Sequence, residues 1–202
     1  MENNYLGEYI DLYDENKRLT GMKAFRRKGF KVNVPVGYYN IVVLIFIKNH
    51  KGEFLIQKTS KEKGSVWAVT GGHVKSGETS KEGIINEIQE ELGIRINEND
   101  IQLFKTYKYE TVFKDVYYIE KDIDVSNLIY QKEEVEYAKY FKVDEINKLI
   151  ENGEFRKTNI DAFLDIVNNT WFNYQFSDIF SEVIILCMKN HVERLLLKII
   201  RY

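Results

Sequence analysis

Apolar positions along this chain change their spacing more than once, and each change marks a different kind of element. In EYIDLYDENKRLTGMKAFRR (8–27), short apolar stretches flank DEN and TG turn signals, which predicts a hairpin followed by a basic stretch. After the single proline, Pro35, the run IVVLIFI (41–47), the KNHKGE turn and FLIQKTS (54–60) predict two buried strands, because β-branched and aromatic residues fill runs of strand length. SVWAV (65–69) predicts another short strand, leading into the pair Gly71 and Gly72.

From Thr79 the period becomes helical. Ile84, Ile85, Ile88 and Leu92 share one face, Thr79 and Glu82 have the spacing of a capping box, and Gly93 supplies a left-handed stop. Downstream, IQLFKTYKYETVFKDVYYIEKDI (101–123) predicts paired aromatic-rich strands and EVEYAKYFKV (134–143) a further one. DEINKLIENG (144–153) predicts a short helix closed by Gly153. Helical spacing returns in NIDAFLDIVNN (159–169) and in FSDIFSEVIILCMKNHVERLLLKII (176–200). With no repeat and no linker, the simplest partition is one α/β domain over residues 1–156 and a helical extension over 157–202, packing on the domain or on a second subunit as a homodimer contact.

Composition narrows the partners. Twenty-nine Lys and Arg nearly balance 31 Asp and Glu, so no global positive field draws in a nucleic-acid polymer or an anionic membrane. The amino terminus lacks a signal-peptide pattern and the longest apolar run is too short to span a bilayer, which makes a cytoplasmic protein the expectation. The one cysteine, Cys187, lies in an apolar run and reads as a buried residue without a catalytic role. His50 sits in a turn and His191 in the helical tail, neither with a ligand-like neighbour.

Glu87, Glu90 and Glu91 fall at i, i+3 and i+4, on the side of the helix away from the isoleucines. Such like-charged pairs cost a few tenths of a kcal/mol each, and carboxylates at a helix carboxyl end also oppose the macrodipole. Two readings fit: a solvated acidic face, or the platform for a hard divalent cation such as Mg²⁺ or Mn²⁺, which takes oxygen ligands.

The surrounding residues resemble the Nudix box: Gly, five residues, Glu, seven residues, then Arg-Glu-hydrophobic-any-Glu-Glu-any-Gly-hydrophobic. Gly72, Glu78, Glu87, Ile88, Glu90, Glu91, Gly93 and Ile94 all fall in register, and Asn86 replaces the arginine. Residues 6–150 are similar to the branch of the Nudix family related in sequence to isopentenyl-diphosphate isomerase. The resemblance implies an α/β Nudix fold, a mixed sheet sandwiched between helices, here with an amino-terminal hairpin and a carboxyl-terminal helical extension. It implies hydrolysis of a small-molecule diphosphate, a nucleotide or nucleotide derivative, by water attack on phosphorus with Mg²⁺ or Mn²⁺. Its metal ligands are then Glu87, Glu90 and Glu91, with the Gly71 carbonyl a further candidate, and Glu78 is a supporting carboxylate.

The general base in this family comes from the box or from a later loop, which points to Glu134 within QKEEVE, with Glu91 as the alternative. The run GGHV is frequent in the family, where His73 belongs to the loop architecture. Isomerisation is the rival activity, but it requires a cysteine where this chain has glycine, at or next to Gly71. A domain that binds without turnover is the other rival. The family arginine is thought to orient the adjacent glutamate, and Asn86 brings a hydrogen bond without the charge. Lys75 or Lys81 is the expected source of the missing charge.

Overall fold

The structure, a computed structural model, describes residues 7–27 and 31–169. The predicted hairpin forms from β1 (Gly7–Tyr13) and β2 (Leu19–Arg27), an antiparallel pair whose tight turn places Lys17 in the left-handed region at φ 61°. The main sheet is built from β3 (Asn40–Lys48), β4 (Phe54–Thr59), β5 (Trp67–Ala68), β6 (Thr70–His73), β7 (Gln102–Lys108), β8 (Val112–Glu120) and β9 (Val135–Phe141). Its order is β5-β4-β3-β8-β7, with β6 also pairing β3 and β9 also pairing β4. Only β3 and β8 run parallel; every other pair is antiparallel. Helices α1 (Ser80–Leu92) and α2 (Val143–Glu151) follow β6 and β9.

One detail of the pairing shapes the molecule. β3 and β4 are in register only at the hairpin end, Lys48 opposite Phe54. Beyond it they part: β3 takes β6 and β8 as neighbours, while β4 takes β5 and β9. The apolar face of α1, through Ile84, Ile88 and Leu92, packs with Val43, Ile45 and Ile47 of β3, Tyr117 and Ile119 of β8, and Ala138 of β9 in one buried cluster. The acidic side of α1 is thereby turned to the place where the sheet divides.

The run of glycines that reads as a loop entry is itself a strand: Thr70–His73 pairs with Ile45–Val42. The pairing is non-local, so no period in TGGH announces it. The chain divides into two units, Met1–Ile160 and Asp161–Tyr202. Residues 157–169 are helical, as their spacing predicts, while the second apolar helix and Cys187 fall outside the described residues. Among the described residues no helix is long and apolar enough to cross a membrane.

Candidate active site

Local chemistry places the acidic helix accurately. The Thr79 hydroxyl accepts from the Glu82 N–H at 3.2 Å and the Glu82 carboxylate accepts from the Thr79 N–H at 2.8 Å, a complete capping box. At the other end Gly93 adopts φ 70° and its N–H caps the Gln89 carbonyl. A Cβ at Gly93 would also stand 2.8 Å from Ile129 Cβ, so both conformation and space call for glycine. Helix α1 therefore starts and stops where its sequence says, which sets the heights of Glu87, Glu90 and Glu91.

The loop that feeds the helix is pinned from three sides. Glu78 accepts from the Lys75 N–H at 3.1 Å and from Asn86 Nδ2 at 2.9 Å. Asp11 on β1 accepts from the Ser76 hydroxyl and the Gly77 N–H, both at 2.8 Å, and the Ser76 N–H donates to the Tyr9 carbonyl at 2.7 Å. The amino-terminal hairpin thus clasps the loop. Its own position is held by Lys17, whose ammonium lies 2.5 Å from the buried Asp115 of β8. Asp115 also accepts from Thr106, at 2.6 Å, and from Ser80 in the first turn of α1.

The three glutamates have different surroundings. Glu91 is 7% exposed, and its Oε2 accepts from Gln57 Nε2 at 2.8 Å. The Gln57 carbonyl in turn accepts from the Thr70 hydroxyl at 2.9 Å. This chain, Thr70 to Gln57 to Glu91, bridges the parted strands β6 and β4. Burial raises the Glu91 carboxyl to about 7, against the hydrogen bonds from Gln57 and the Gly71 backbone that favour its ionised form. Glu87, half-buried, is pushed up to about 8 by burial and then by the charges of Glu91 and Glu90. Glu90 is exposed and forms a 2.7 Å ion pair with Lys75.

Gly72 is the close neighbour of Glu87. A Cβ there would lie 2.2 Å from Glu87 Oε1 and 2.5 Å from its Cδ. Gly72→Ala should leave the fold standing, because the collision is with the end of a side chain, but displace the Glu87 carboxylate. We expect kcat to fall by roughly 10²-fold, the scale of a 1 Å misplacement, with a circular-dichroism melt little changed. Wild-type turnover in this variant would remove Glu87 from the machinery.

Asn86 does not meet the expectation that it orients the adjacent glutamate. Consecutive helical residues point in different directions, and its amide turns to Glu78 instead. Of the two lysines, Lys75 is the one that reaches the acidic face, pairing with Glu90; its ammonium affinity for its proton is raised by the hydrogen bond and charge of Glu90, against burial, with Glu87 and Glu78 adding to the effect. Lys81 makes no such contact among the described residues.

Glu134 precedes β9 and lies near enough to Glu91 for its charge to raise the Glu91 carboxyl. It is not free: Lys63 pairs with it at 2.8 Å. Glu133 and Glu136, its neighbours, are exposed. His73 stays neutral, its imidazole lowered to about 4 by burial and by the cations of Arg26 and Lys63. Gln57, Lys63 and Arg156, which also faces Glu91 electrostatically, carry no sequence signal beyond one polar residue, Gln57, inside an apolar strand.

Among the described residues no three carboxylate, thiol or imidazole groups are already gathered about one point. Each acidic group instead leans on its own neighbour, Glu90 on Lys75 and Glu91 on Gln57. The donor set nonetheless fits a hard divalent cation: oxygen donors on one helix face, two of them carboxyls whose proton affinity is raised chiefly by burial and further by neighbouring carboxylates.

The NUDIX domain family model matches residues 38–163. An uncharacterized Nudix hydrolase of Listeria monocytogenes is 36% identical over 152 residues, covering 73% of this chain and 88% of its own. Another, from Clostridium acetobutylicum, is 26% identical over 190 residues, covering 87% and 88%. Among solved structures, DR0079 from Deinococcus radiodurans shares the fold with a TM-score of 0.61 at 22% identity, covering 76% of this chain and 94% of that one. An acidic helix capped at both ends, seated where a mixed sheet parts, and a family match across most of the chain lead to one conclusion: this chain belongs to the Nudix family and is a hydrolase.

Proposed function

We propose that this hydrolase cleaves the phosphoanhydride bond of a small-molecule diphosphate linked to a nucleoside or similar moiety, by attack of water on phosphorus. The observation that carries the reading is the pair Glu87 and Glu91, two carboxyls held beside Gly71 and Gly72 with their proton affinities raised to about 8 and about 7. Groups so tuned either keep a proton or give it up to a cation at neutral pH.

Glu87, Glu90 and Glu91 would hold Mg²⁺ or Mn²⁺, with the Gly71 carbonyl as a further ligand. When bound, the cation neutralises the anionic diphosphate and lowers the pKa of water. The chain's own residues do the rest. Gln57 and the Gly71 backbone fix the Glu91 carboxylate, and Lys75 holds Glu90. Glu134 takes the proton of the attacking water once its bond to Lys63 is exchanged, with Glu91 the alternative base. No thiol stands at Gly71, so the isomerase reading has no proton donor on its side.

The test is hydrolysis of a panel of diphosphates with Mg²⁺ or Mn²⁺ by the wild type, Glu90→Gln/Glu91→Gln and Asn86→Arg. The wild type should turn over, and the double variant should lose at least about 10²-fold. Asn86→Arg should change the rate by less than about tenfold, because Lys75 already supplies charge at Glu90. A double variant as active as the wild type refutes the metal assignment. An inert wild type rescued by Asn86→Arg would make this a binding domain.

A further inference from the structure

Residues 154–156 act as an extra strand at the edge of β5. The Trp67 N–H donates to the Glu154 carbonyl at 2.9 Å, the Arg156 N–H donates to the Trp67 carbonyl at 2.8 Å, and Phe155 forms a parallel bridge with Trp67. Across β5, Ala68 is opposite Gln57, the residue that holds Glu91. Arg156 therefore leaves the backbone one strand away from the anchor of the buried glutamate, and its charge favours the ionised form of Glu91.

Two features of this guanidinium have no structural use. Its Nε is buried without a hydrogen-bond partner, and among the described residues its side chain forms no ion pair. Glu91, the acid within its field, takes hydrogen bonds from Gln57 and Gly71 instead. Phe155 is opposite Trp67, so the alternation of side chains along the strand turns Arg156 to the other face, the one that carries Ala68 and Gln57. A guanidinium is never deprotonated, and its planar fork of donors matches the oxygens of a phosphate in two parallel bonds.

We propose that Arg156 is a substrate-binding residue, holding one phosphoryl group of the diphosphate across from the acidic helix. The assignment rests on the diphosphate reading of the site. It makes the cleft two-sided: carboxylates and their cation on α1, and a permanent protein cation on the 154–156 strand.

The test is calorimetric titration of the full chain with methylene diphosphonate, which cannot be hydrolysed, in EDTA. The wild type should bind, and Arg156→Gln should raise the dissociation constant by roughly 10- to 100-fold. Arg156→Lys, which keeps the charge and loses the fork, should fall between. Lys157→Gln, an exposed neighbour, should match the wild type. In hydrolysis with Mg²⁺, Arg156→Gln should raise KM by a larger factor than it lowers kcat. A wild type that does not bind the metal-free probe, or Arg156→Gln affinity within about twofold of wild type, overturns the assignment. If Arg156→Gln does not fold, Arg156→Lys decides, unchanged affinity being the overturning result. Failure of the diphosphate reading would appear separately, as an absence of turnover in the wild type with Mg²⁺ and Mn²⁺.

Discussion

Glu91→Gln is expected to lower kcat by roughly 10²- to 10⁴-fold, the range spanned by loss of an acid-base group, and at the same time to raise the melting temperature of the metal-free protein. The two effects share one cause. Glu91 is 7% exposed, on a helix face with two other carboxylates, and burial lifts its carboxyl to about 7. Glutamine keeps the shape, and its carbonyl can still accept from Gln57, so the fold loses a costly charge and little else.

The pH dependence follows from the same shifts. In the unfolded chain these carboxyls ionise near the ordinary glutamate value; in the folded chain Glu91 does so near 7 and Glu87 near 8. Between those limits the folded state binds more protons. Stability contributed by the neutral carboxyls is therefore fully present below about pH 4.5 and is lost as pH rises to about 8. Scanning calorimetry in EDTA should show the melting temperature declining over this window, less steeply in Glu91→Gln. Adding Mg²⁺ at pH 8 should raise the wild-type melting temperature and raise that of Glu91→Gln by less, since a ligand stabilises the state that binds it. Equal Mg²⁺ shifts in the two proteins would place the cation elsewhere.

What the sequence made legible, and what it did not, divides along the line between local and non-local contacts. Thr79 with Glu82, the isoleucine stripe and Gly93 are separated by a few residues, so helix α1 can be read directly, caps included. The hairpin and the paired strands of 101–123 follow from turn residues and apolar runs in the same way. Strand β6 is hidden because glycines carry no period and its partner β3 lies some thirty residues earlier. Gln57 meets Glu91 only because β4 parts from β3, and Lys63 meets Glu134 only because the β4–β5 loop and the turn before β9 fold to one edge. Asn86 shows how adjacency misleads: it is next to Glu87 in the chain, yet it bonds Glu78, eight residues back.

Asp115→Asn is expected to destabilise the protein by about 2–4 kcal/mol, lowering its melting temperature by roughly 5–15 °C, and to reduce activity although residue 115 is remote from the box glutamates in sequence. Asp115 is 1% exposed and receives Lys17, Thr106 and Ser80 at once; Tyr117 donates to Ser80 at 2.9 Å and extends the network. Removing its charge leaves the Lys17 ammonium, itself only 29% exposed at the side chain, without its partner. Part of that cost is avoided if Lys17 swings into water, which is why the figure extends below the range for a fully buried pair. Lys17 sits at the hairpin turn and Ser80 in the first turn of α1, so the same residue joins the strap that clasps the loop at Ser76 and Gly77 to the helix that carries the glutamates. A double-mutant cycle with Lys17→Met separates the causes: if the ion pair dominates, Asp115→Asn should cost less in that background, with a coupling of about 1–3 kcal/mol. Strict additivity would assign the whole effect to Ser80 and Thr106, and would detach the hairpin from the stability of the site.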